Sequence, residues 1–365
     1  MQRKMIFAGL RARPVRTTVT ILAVSLEVIL ILLIIGLTTG ITNDNARRTS
    51  GVGADIVVEP SQASILLAIT ENSLPISYGD LIRQQPGIKA VAPVQVKLNL
   101  QNGLEVVYGI DSHFTEVTGG FHWVEGGPFK APKEIVVDDL WAKGHDAHKG
   151  DTTELLNSKF TISGIAEHGQ GSRVFMSMDD LSQMLDEKKV AAFFITVQDP
   201  KQVKAVKAEL EVLLQDRAKV RDMKEWASLM TSSNIPGLDY FINAVVAISL
   251  CVGVMVIFLS MYTTITERTR EIGILRSMGA SKAFIVGLIF QETTVVCIIG
   301  VIIGTIVSYS LQAILTSLYP TLMIEITPDW RYKAAAFAIL SGIIGSFYPS
   351  LKAASQDPVE ALAYE

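Results

Sequence analysis

Two pairs of opposite charges lie close together in residues 265–283, whose sequence is ITERTREIGILRSMGASKA. Glu267 and Arg270 are three residues apart, and so are Arg268 and Glu271. Side chains at this spacing are neighbours on a helix, where each ion pair stabilises it by roughly a few tenths of a kcal/mol. The chemistry available to this segment is therefore ion pairing that stiffens a short helix.

The same segment carries an apolar face and a signal for the end of a helix. Ile272, Leu275 and Met278 are predicted to lie close to one face, and Gly279 can end or kink the helix. Because apolar stretches flank the segment on both sides, a short helix here can form neither a pore nor an active site. It is suited to receiving motion from a soluble partner and passing it to its neighbours. The alternative is a solvated helix beside the membrane that has no partner.

Residue types that carry catalysis do not form a recognisable site. The sequence contains no Gly-x-x-x-x-Gly-Lys-Ser/Thr, Gly-x-Ser-x-Gly or His-Glu-x-x-His motif. His145 and His148 are too close in sequence to form a helical metal-binding pair, and we interpret them as part of a solvated loop. We therefore predict no metal site, no catalytic residue and no nucleotide bound by this chain.

The composition favours a membrane protein. Of the 365 residues, 49% are hydrophobic and 19% are charged, whereas soluble domains carry about 25% charge. The net charge of -4 gives no indication of a nucleic-acid partner. Cys251 and Cys297 lie inside apolar stretches and are interpreted as small core residues. Residues 42–239 contain no cysteine, so a domain in this region must fold without disulfides.

Four stretches are apolar enough to cross a membrane. The first, Val19–Ile41, would be about 35 Å long as a helix, which is sufficient for a hydrocarbon core of about 30 Å. It is longer than the apolar region of a signal peptide and has no clear cleavage site, so we predict an uncleaved anchor. The four predicted transmembrane helices are 17–41, 240–264, 284–316 and 334–351.

Basic residues in the short segments predict the orientation. Residues 1–16 hold five basic residues and no acid, and residues 265–283 hold four basic residues. Both segments should face the cytoplasm, as should 352–365, which places 42–239 and the loop 317–333 outside. Residues 1–16 form either an amphipathic helix on the inner membrane surface or a flank without fixed structure.

Residues 42–239 have the pattern of a mixed domain. An Asn102-Gly103 turn between two strands is a strong hairpin signal. The predicted fold is a membrane α-helical protein with four transmembrane helices and a large extracytoplasmic α+β domain of two lobes, inserted between helices 1 and 2. The predicted elements of the domain are strands Ala54–Glu59, Val94–Leu100, Glu105–Ile110, Glu134–Val137, Phe160–Ile165, Val174–Ser177 and Phe193–Val197, helices Tyr78–Gln85, Asp179–Leu185 and Lys201–Leu214, loops Gly119–Gly127 and Gly144–Asp151, and a stalk over 222–239.

The predicted spans contain regularly spaced small residues and two acids. Small residues at four-residue intervals let helices approach closely in lipid, and they indicate either packing within one chain or a dimer seam. Acids at membrane depth are costly, and Glu27 and Glu292 are the two candidates. Glu292 can accept a bond from a neighbouring helix, and Glu27 either pairs across the bundle or is protonated. The small residues are Gly36, Gly40, Gly300, Gly304, Ala338 and Gly342.

Three stretches of the sequence resemble a known family. ERTREIGILRSMGAS (Glu267–Ser281) resembles the cytoplasmic signature of MacB/FtsX-type (type VII) ABC transporter permeases. YPSLKAASQDPVEALAYE (Tyr348–Glu365) resembles the family's C-terminal signature, and GADIVVEP (Gly53–Pro60) resembles the strand that opens its outer domain. The resemblance implies ATPase coupling at Glu267, Arg268, Arg270, Glu271, Ile272, Gly273, Leu275, Arg276, Met278, Gly279 and Ala280, and a C-terminal motif of Asp357, Pro358, Val359, Glu360, Ala361 and Leu362.

The resemblance also implies the partners. It indicates two copies of a separate ABC ATPase subunit, which would bind ATP and Mg²⁺, and a second permease copy or paralogue. The coupling segment would carry ATP-driven motion to the outer domain, a mechanism called mechanotransmission. Further implied partners are membrane lipid and a periplasmic adaptor or outer-membrane protein. The expected location is the bacterial inner membrane, with both termini in the cytoplasm.

Two functions remain open at this point. The size of the outer domain favours export or extraction of a lipophilic, peptide or lipoprotein cargo. The alternative is an FtsX-like regulatory scaffold that activates a periplasmic cell-wall hydrolase without transport. A membrane-bound enzyme or a stand-alone sensor is disfavoured because no catalytic constellation is present.

Overall fold

The computed structural model describes residues 14–61, 73–100, 105–186, 188–229 and 237–357. Three predicted features therefore lie wholly or mostly outside the described residues. They are the N-terminal segment 1–16, the Asn102-Gly103 turn and the Pro358–Leu362 part of the C-terminal motif.

The chain forms two compact units. The first comprises the chain up to Gly40, residues 237–315 and the residues from 324 onward, and the second comprises Ile41–Pro236 and Thr316–Met323. The helices are α1 (Pro14–Gly51), α2 (Tyr78–Arg83), α3 (Ser112–Thr118), α4 (Asp139–His145), α5 (Met178–Leu185), α6 (Val203–Leu214), α7 (Met223–Leu229), α8 (Leu238–Glu267), α9 (Thr269–Ser277), α10 (Lys282–Leu318) and α11 (Pro328–Ser355). The strands are β1 (Ile56–Pro60), β2 (Leu74–Pro75), β3 (Ile88–Asn99), β4 (Glu105–Ile110), β5 (Trp123–Gly126), β6 (Glu134–Asp138), β7 (Thr152–Leu155), β8 (Ser158–Ala166), β9 (Val174–Ser177), β10 (Lys189–Val190), β11 (Ala192–Val197) and β12 (Ala218–Asp222).

Four helices among the described residues, α1, α8, α10 and α11, are long and apolar enough to cross a membrane, which confirms the four predicted spans. Helix α1 is longer than the predicted span 17–41, because it has 38 residues and ends at Gly51. Its length is about 57 Å. Polarity alone does not end a helix, and residues 42–50 contain neither glycine nor proline, the strongest helix breakers. The helix ends at Gly51, and Gly53, two residues later, has a φ of 77°.

The last span also begins earlier than predicted. Helix α11 starts at Pro328 instead of 334, so part of the predicted loop 317–333 is helical. Proline suits the first helical position because its φ is already fixed and its missing N–H has no partner to lose there. Helices α8 and α10 exceed their predicted bounds by two or three residues at each end.

Small residues in the spans lie at helix contacts within the chain. A Cβ on Gly300 would lie 2.7 Å from the side chain of Val24, and one on Gly304 would lie 2.8 Å from the backbone oxygen of Ser25. Helices α1 and α10 therefore approach so closely that only glycine fits at these positions without a shift. The other predicted packing residues are also buried, namely Gly36, Gly40, Ala338 and Gly342.

The second unit is built on one ten-stranded sheet. Its order is β12-β1-β11-β3-β4-β9-β6-β8-β5, with β7 paired to β8, and β2 and β10 form a separate ladder. The pairs β4–β9 and β6–β8 are parallel, and the other pairs are antiparallel. The two predicted lobes therefore share a continuous sheet. An aromatic cluster of Phe114, Phe175 and Phe194 packs in one of its cores.

Two predicted loops contain regular structure. The predicted loop Gly119–Gly127 includes β5, an edge strand paired with β8. Its four residues are too few to show a clear alternation of apolar and polar side chains, and the strand ends in Gly126, with Gly127 directly after it. The predicted loop Gly144–Asp151 begins inside α4, where the Asp138 carboxylate accepts a hydrogen bond from the Trp141 N–H at 2.6 Å and caps the helix.

The predicted stalk over 222–239 begins as part of the outer domain. Strand β12 ends at Asp222, and α7 follows at once. Met223 and Trp226 on α7 are buried, and the indole of Trp226 donates to Glu59 on β1 at 3.1 Å. These contacts attach the first part of the predicted stalk to the sheet.

Candidate functional site

The predicted helix over 265–283, called the coupling segment from here on, is divided by one residue. Helix α8 ends at Glu267, Arg268 leaves the helical conformation with φ -101° and ψ 13°, and α9 covers Thr269–Ser277. The hydroxyl of the first α9 residue bonds back to two carbonyl oxygens of the preceding turn, at 2.9 and 3.2 Å. Such back-bonding bends helices. The expectation of one continuous helix is wrong at this position, so Glu267 and Arg270 belong to separate helices.

Arg268 ties the start of α9 to α10. Its Nη1 donates to Glu292 Oε2 and its Nε donates to Glu271 Oε2, both at 2.9 Å. The side chains of Arg268 and Glu292 are 22% and 10% exposed, so water shields this pair little. Burial alone would lower the pKa of Arg268, but Glu292 and Glu271 together raise it, and the guanidinium stays charged. The predicted pair of Arg268 with Glu271 is confirmed, and the neighbouring-helix partner expected for Glu292 is Arg268.

The other end of α9 is closed by a glycine and tied to α11. Gly279 has a φ of 93°, its N–H bonds to Arg276 O at 3.0 Å, and the Ala280 N–H bonds to Leu275 O at 3.0 Å. These two bonds form a Schellman motif, in which glycine avoids the steric cost of a positive φ. Arg276 Nη1 donates to the backbone oxygen of Ala354 near the end of α11. The predicted role of Gly279 as a helix end is confirmed.

One face of α9 packs inward and the other faces solvent. Ile272 is buried, and Leu275 packs against the core of the helix bundle. Met278 is 71% exposed, so the expectation that it shares their face is wrong. It lies six residues after Ile272, and that rotation along a helix of 3.6 residues per turn carries it away from the buried side.

The solvent face includes a residue that sequence analysis missed. Ile274 is 43% exposed, and it lies four residues after Arg270 and four before Met278. Residues at this spacing follow one another along one face. We call Arg270, Ile274 and Met278 the outward face. The spacing of Arg270, Ile274 and Met278 is visible in the sequence, but the sequence analysis assigned no role to Ile274.

The remaining predicted residues of the coupling segment are placed as follows. Gly273 is buried on the inward side, and Glu271 is exposed beside the outward face. A cavity of about 30 Å³ between α8, α9 and α10 is bordered by Arg268, Glu292 and apolar side chains. A cavity of this volume holds a few water molecules at most, so it offers no room for a cargo. Asp357, the first residue of the C-terminal motif, follows the end of α11.

The second acid at membrane depth, Glu27, is enclosed by three helices. Ser341 Oγ on α11 donates to Glu27 Oε2 at 2.9 Å, and Gly253 on α8 leaves the space that the carboxyl group fills. Glu27 is 3% exposed, and its Oε1 has no hydrogen-bond partner among the described residues. Of the two predicted possibilities, the structure provides a bond across the bundle.

The histidines of the outer domain make local contacts. The ring of His145 stacks on Trp141 with centroids 4.0 Å apart, and the carboxylate of Asp151 accepts from the His148 N–H at 2.7 Å. Within the parts of the chain that are described, no three His, Cys, Asp or Glu side chains are grouped to hold a metal ion.

Two family models match the chain. The MacB-like periplasmic core domain matches residues 17–213, more than half of the 365 residues, and the FtsX-like permease C-terminal domain matches residues 243–358. Together they cover the first span, the outer domain up to residue 213, most of α8, the coupling segment and the last two spans.

Curated relatives match along nearly the whole chain. The macrolide export ATP-binding/permease protein MacB of Rhodospirillum rubrum is 26% identical over 393 residues, and that of Wolinella succinogenes is 25% identical over 394 residues. Each match covers 99% of this chain and 60% of the relative, so the chain spans about 60% of the length of these proteins.

A solved structure, the periplasmic region of MacB from Actinobacillus actinomycetemcomitans, is 14% identical with a TM-score of 0.40, and the match covers 50% of this chain and 94% of that one. The four apolar helices and the family model for a MacB-like periplasmic core domain together indicate an inner-membrane protein with an extracytoplasmic domain. The chain belongs to the MacB/FtsX-type family of ABC transporter permeases.

Proposed function

We propose that this chain is a permease subunit that transmits the ATP-driven motion of a separate ATPase to its extracytoplasmic domain. The motion would serve the export or extraction of a lipophilic, peptide or lipoprotein cargo. This is mechanotransmission: the cargo is handled outside the membrane, and the spans relay force instead of forming a conduit.

The observation that carries this proposal is the attachment of α9 at both ends. Arg268 joins its start to α10 through Glu292, and Arg276 joins its end to α11 through the Ala354 carbonyl. A force on α9 would therefore reach two spans directly, and α8 follows through the single residue that separates it from α9. A solvated helix without a partner would need neither attachment.

The outward face supplies a surface for the ATPase. Arg270, Ile274 and Met278 present one charge and two apolar side chains to solvent on the same side of α9. Exposed apolar groups beside charges are typical of a docking site on a protein partner. We propose two copies of the ATPase, which bind ATP and Mg²⁺, below two copies of the permease or a permease and a paralogue.

The contacts of the two acids at membrane depth, Glu27 and Glu292, favour spans that transmit force over spans that form a polar path for cargo. Glu292 is engaged by Arg268 and Glu27 by Ser341, so each has a structural partner within the bundle. A polar path for cargo would need such groups to line open space. Both termini are proposed to be cytoplasmic, and a periplasmic adaptor or outer-membrane protein would complete an export system.

The test is an uncoupling experiment on the complex of this chain with its co-purified ATPase in lipid nanodiscs. A spin label at Glu154→Cys, on the exposed surface of the outer domain, reports the distance between the two copies in a Cys251→Ser background. ATP with vanadate should change that distance in the unsubstituted protein. Arg270→Glu, Met278→Asp and Gly279→Pro should each abolish the change while basal ATP hydrolysis continues.

Matched controls carry the same substitutions far from α9. Arg83→Glu and Met184→Asp alter an exposed arginine and methionine of the outer domain and should leave the ATP-driven change intact. An outward-face variant that responds to ATP like these controls would refute the proposed role of α9. Co-purification of a cell-wall hydrolase in place of an export adaptor would overturn the cargo proposal in favour of the FtsX-like function.

A further inference from the structure

A buried charged cluster joins three parts of the second unit. Arg173, just before β9, donates through Nη1 to Asp138 Oδ2 and through Nη2 to Asp44 Oδ2, both at 3.0 Å. Nη2 also reaches the backbone oxygen of Thr321 at 3.5 Å. Asp44 lies on α1, and Thr321 lies in the segment between α10 and α11. One guanidinium therefore contacts the end of α1, the start of α4 and the loop 319–327.

The end of α1 has a second attachment beside the first. Arg48 Nε donates to Asp44 Oδ2 at 3.0 Å, and Arg48 also bonds to Asn45. Its Nη1 donates to Gly171 O at 3.3 Å, while the Gly171 N–H donates to Arg48 O at 2.8 Å. Two reciprocal bonds thus fix the last turns of α1 to the loop that carries Arg173.

Burial makes these contacts costly to break. The side chains of Arg173 and Asp138 are 14% and 2% exposed, and Asp44 is also buried. Burial raises the pKa of Asp138, and the charge of Arg173 opposes that rise. Removing one partner of a buried ion pair leaves the other charge without compensation. Lysine cannot replace Arg173 here, because only the planar fork of guanidinium bonds several oxygens at fixed angles.

We infer that Arg173 is a positioning residue that locks the end of α1 and the loop around Thr321 to the outer domain, so that a displacement of these two segments moves the domain with them. This inference rests on the proposed function, since it names the outer end of the same relay. The stability of the outer domain does not require these bonds, because its sheet can form without any bond to the loop between α10 and α11.

The variant Arg173→Gln tests this against a matched control, Arg221→Gln. Arg221 forms an ion pair with Glu59 at 2.7 Å, and their side chains are 16% and 7% exposed, similar to the Arg173 cluster. That pair joins β12 to β1 and touches neither α1 nor the loop. Both variants are prepared in the ATPase complex in nanodiscs, with one spin label at Tyr319→Cys in the loop and, separately, one at Glu154→Cys.

Arg173→Gln should increase the mobility of the Tyr319→Cys label and reduce the ATP-driven distance change at Glu154→Cys at least fivefold, with ATP hydrolysis retained. Arg221→Gln should leave both readouts unchanged even if it lowers the melting temperature. Equal behaviour of the two variants would overturn the inference. If the unsubstituted complex shows no ATP-driven change, the proposed function fails, and the relay role of Arg173 fails with it. The mobility of the loop label still decides whether Arg173 holds that loop.

Replacing the Asp44–Arg173 ion pair with a covalent cross-link distinguishes the loss of this attachment from a folding defect. The pair Asp44→Cys with Arg173→Cys, in a Cys251→Ser background, removes the ion pairs and allows a bis-maleimide to rejoin the two positions. Cross-linking should restore the ATP-driven change that the untreated double variant lacks. Failure of an efficiently cross-linked sample to recover would contradict the positioning role.

Discussion

Replacing Arg268 with methionine should uncouple α9 from the spans and destabilise the bundle. Its bond with Glu292 is 2.9 Å long, and both side chains are largely buried. At an effective dielectric constant of ~20, the Coulomb attraction at this distance is about 6 kcal/mol. Desolvation of the two charges offsets most of that attraction, so the net value of the pair is far smaller.

The single variant nevertheless costs more than the net value of the pair, because Glu292 remains buried without a partner. Removal of one member of a buried pair costs about 3–5 kcal/mol. Since Arg268 retains some exposure, water can reach the site, and we expect about 2–3 kcal/mol for Arg268→Met on the same basis. The double variant Arg268→Met with Glu292→Met should cost less than the single one, since no uncompensated charge remains.

The assay is unfolding by SDS titration in mixed micelles, combined with the ATP-driven distance measurement. Lys333→Met is the control, because it breaks an ion pair with Asp329 whose side chains are 49% and 69% exposed. An exposed pair contributes about 0–1 kcal/mol. Arg268→Met should lose the ATP response, and Lys333→Met should keep it. The reasoning is refuted if Arg268→Met is no more destabilising than Lys333→Met, or if the double variant costs the sum of its single variants.

Three further outcomes are expected. Gly304→Ala should destabilise the bundle by about 1–3 kcal/mol in the same SDS titration, because its methyl group would lie 2.8 Å from Ser25 O. Gly287→Ala is the control, because its methyl group would have no atom within 4 Å. This variant should be neutral or should stabilise the bundle by up to about 1 kcal/mol. In Glu27→Gln the side-chain carbonyl oxygen can still accept the hydrogen bond from the Ser341 hydroxyl, so the midpoint of SDS unfolding should stay close to that of the unsubstituted protein. Glu27→Leu loses this bond and should unfold at a lower SDS fraction. Equal midpoints for the two variants would contradict the role of the bond. The Lys130 and Ala131 N–H groups lower the pKa of Glu134, so its contribution to stability is present above its ordinary value of 4.5 and is lost as pH falls through the lowered value. Calorimetry of Glu134→Gln should therefore show a melting temperature that falls less steeply on acidification, and an unchanged slope would contradict the assignment.

Local patterns were sufficient for much of the fold. Strands β4 and β9 have the predicted bounds, and four apolar stretches are helices of spanning length. The Arg268–Glu271 pair forms because both residues belong to one turn, where spacing along the chain determines proximity. The glycine that ends α9 could be identified because a positive φ favours glycine.

Contacts between distant residues could not be inferred from one sequence. Ser341 follows Glu27 by 314 residues, and only the packing of α11 on α1 makes it the donor. The extension of α1 beyond the span was missed because hydropathy identifies the membrane-crossing part of a helix and not its end. The Arg173 cluster joins residues 44, 138 and 321, whose proximity depends on the topology of the whole unit.

The central claim is that force enters at α9 on one side of the membrane and acts on the outer domain on the other side. Labelling with a membrane-impermeant maleimide tests it directly, using Ser277→Cys or Glu154→Cys in a Cys251→Ser background. The account predicts that Glu154→Cys reacts in intact spheroplasts and Ser277→Cys reacts only in inverted membrane vesicles. Reaction of both positions from the same side would contradict it.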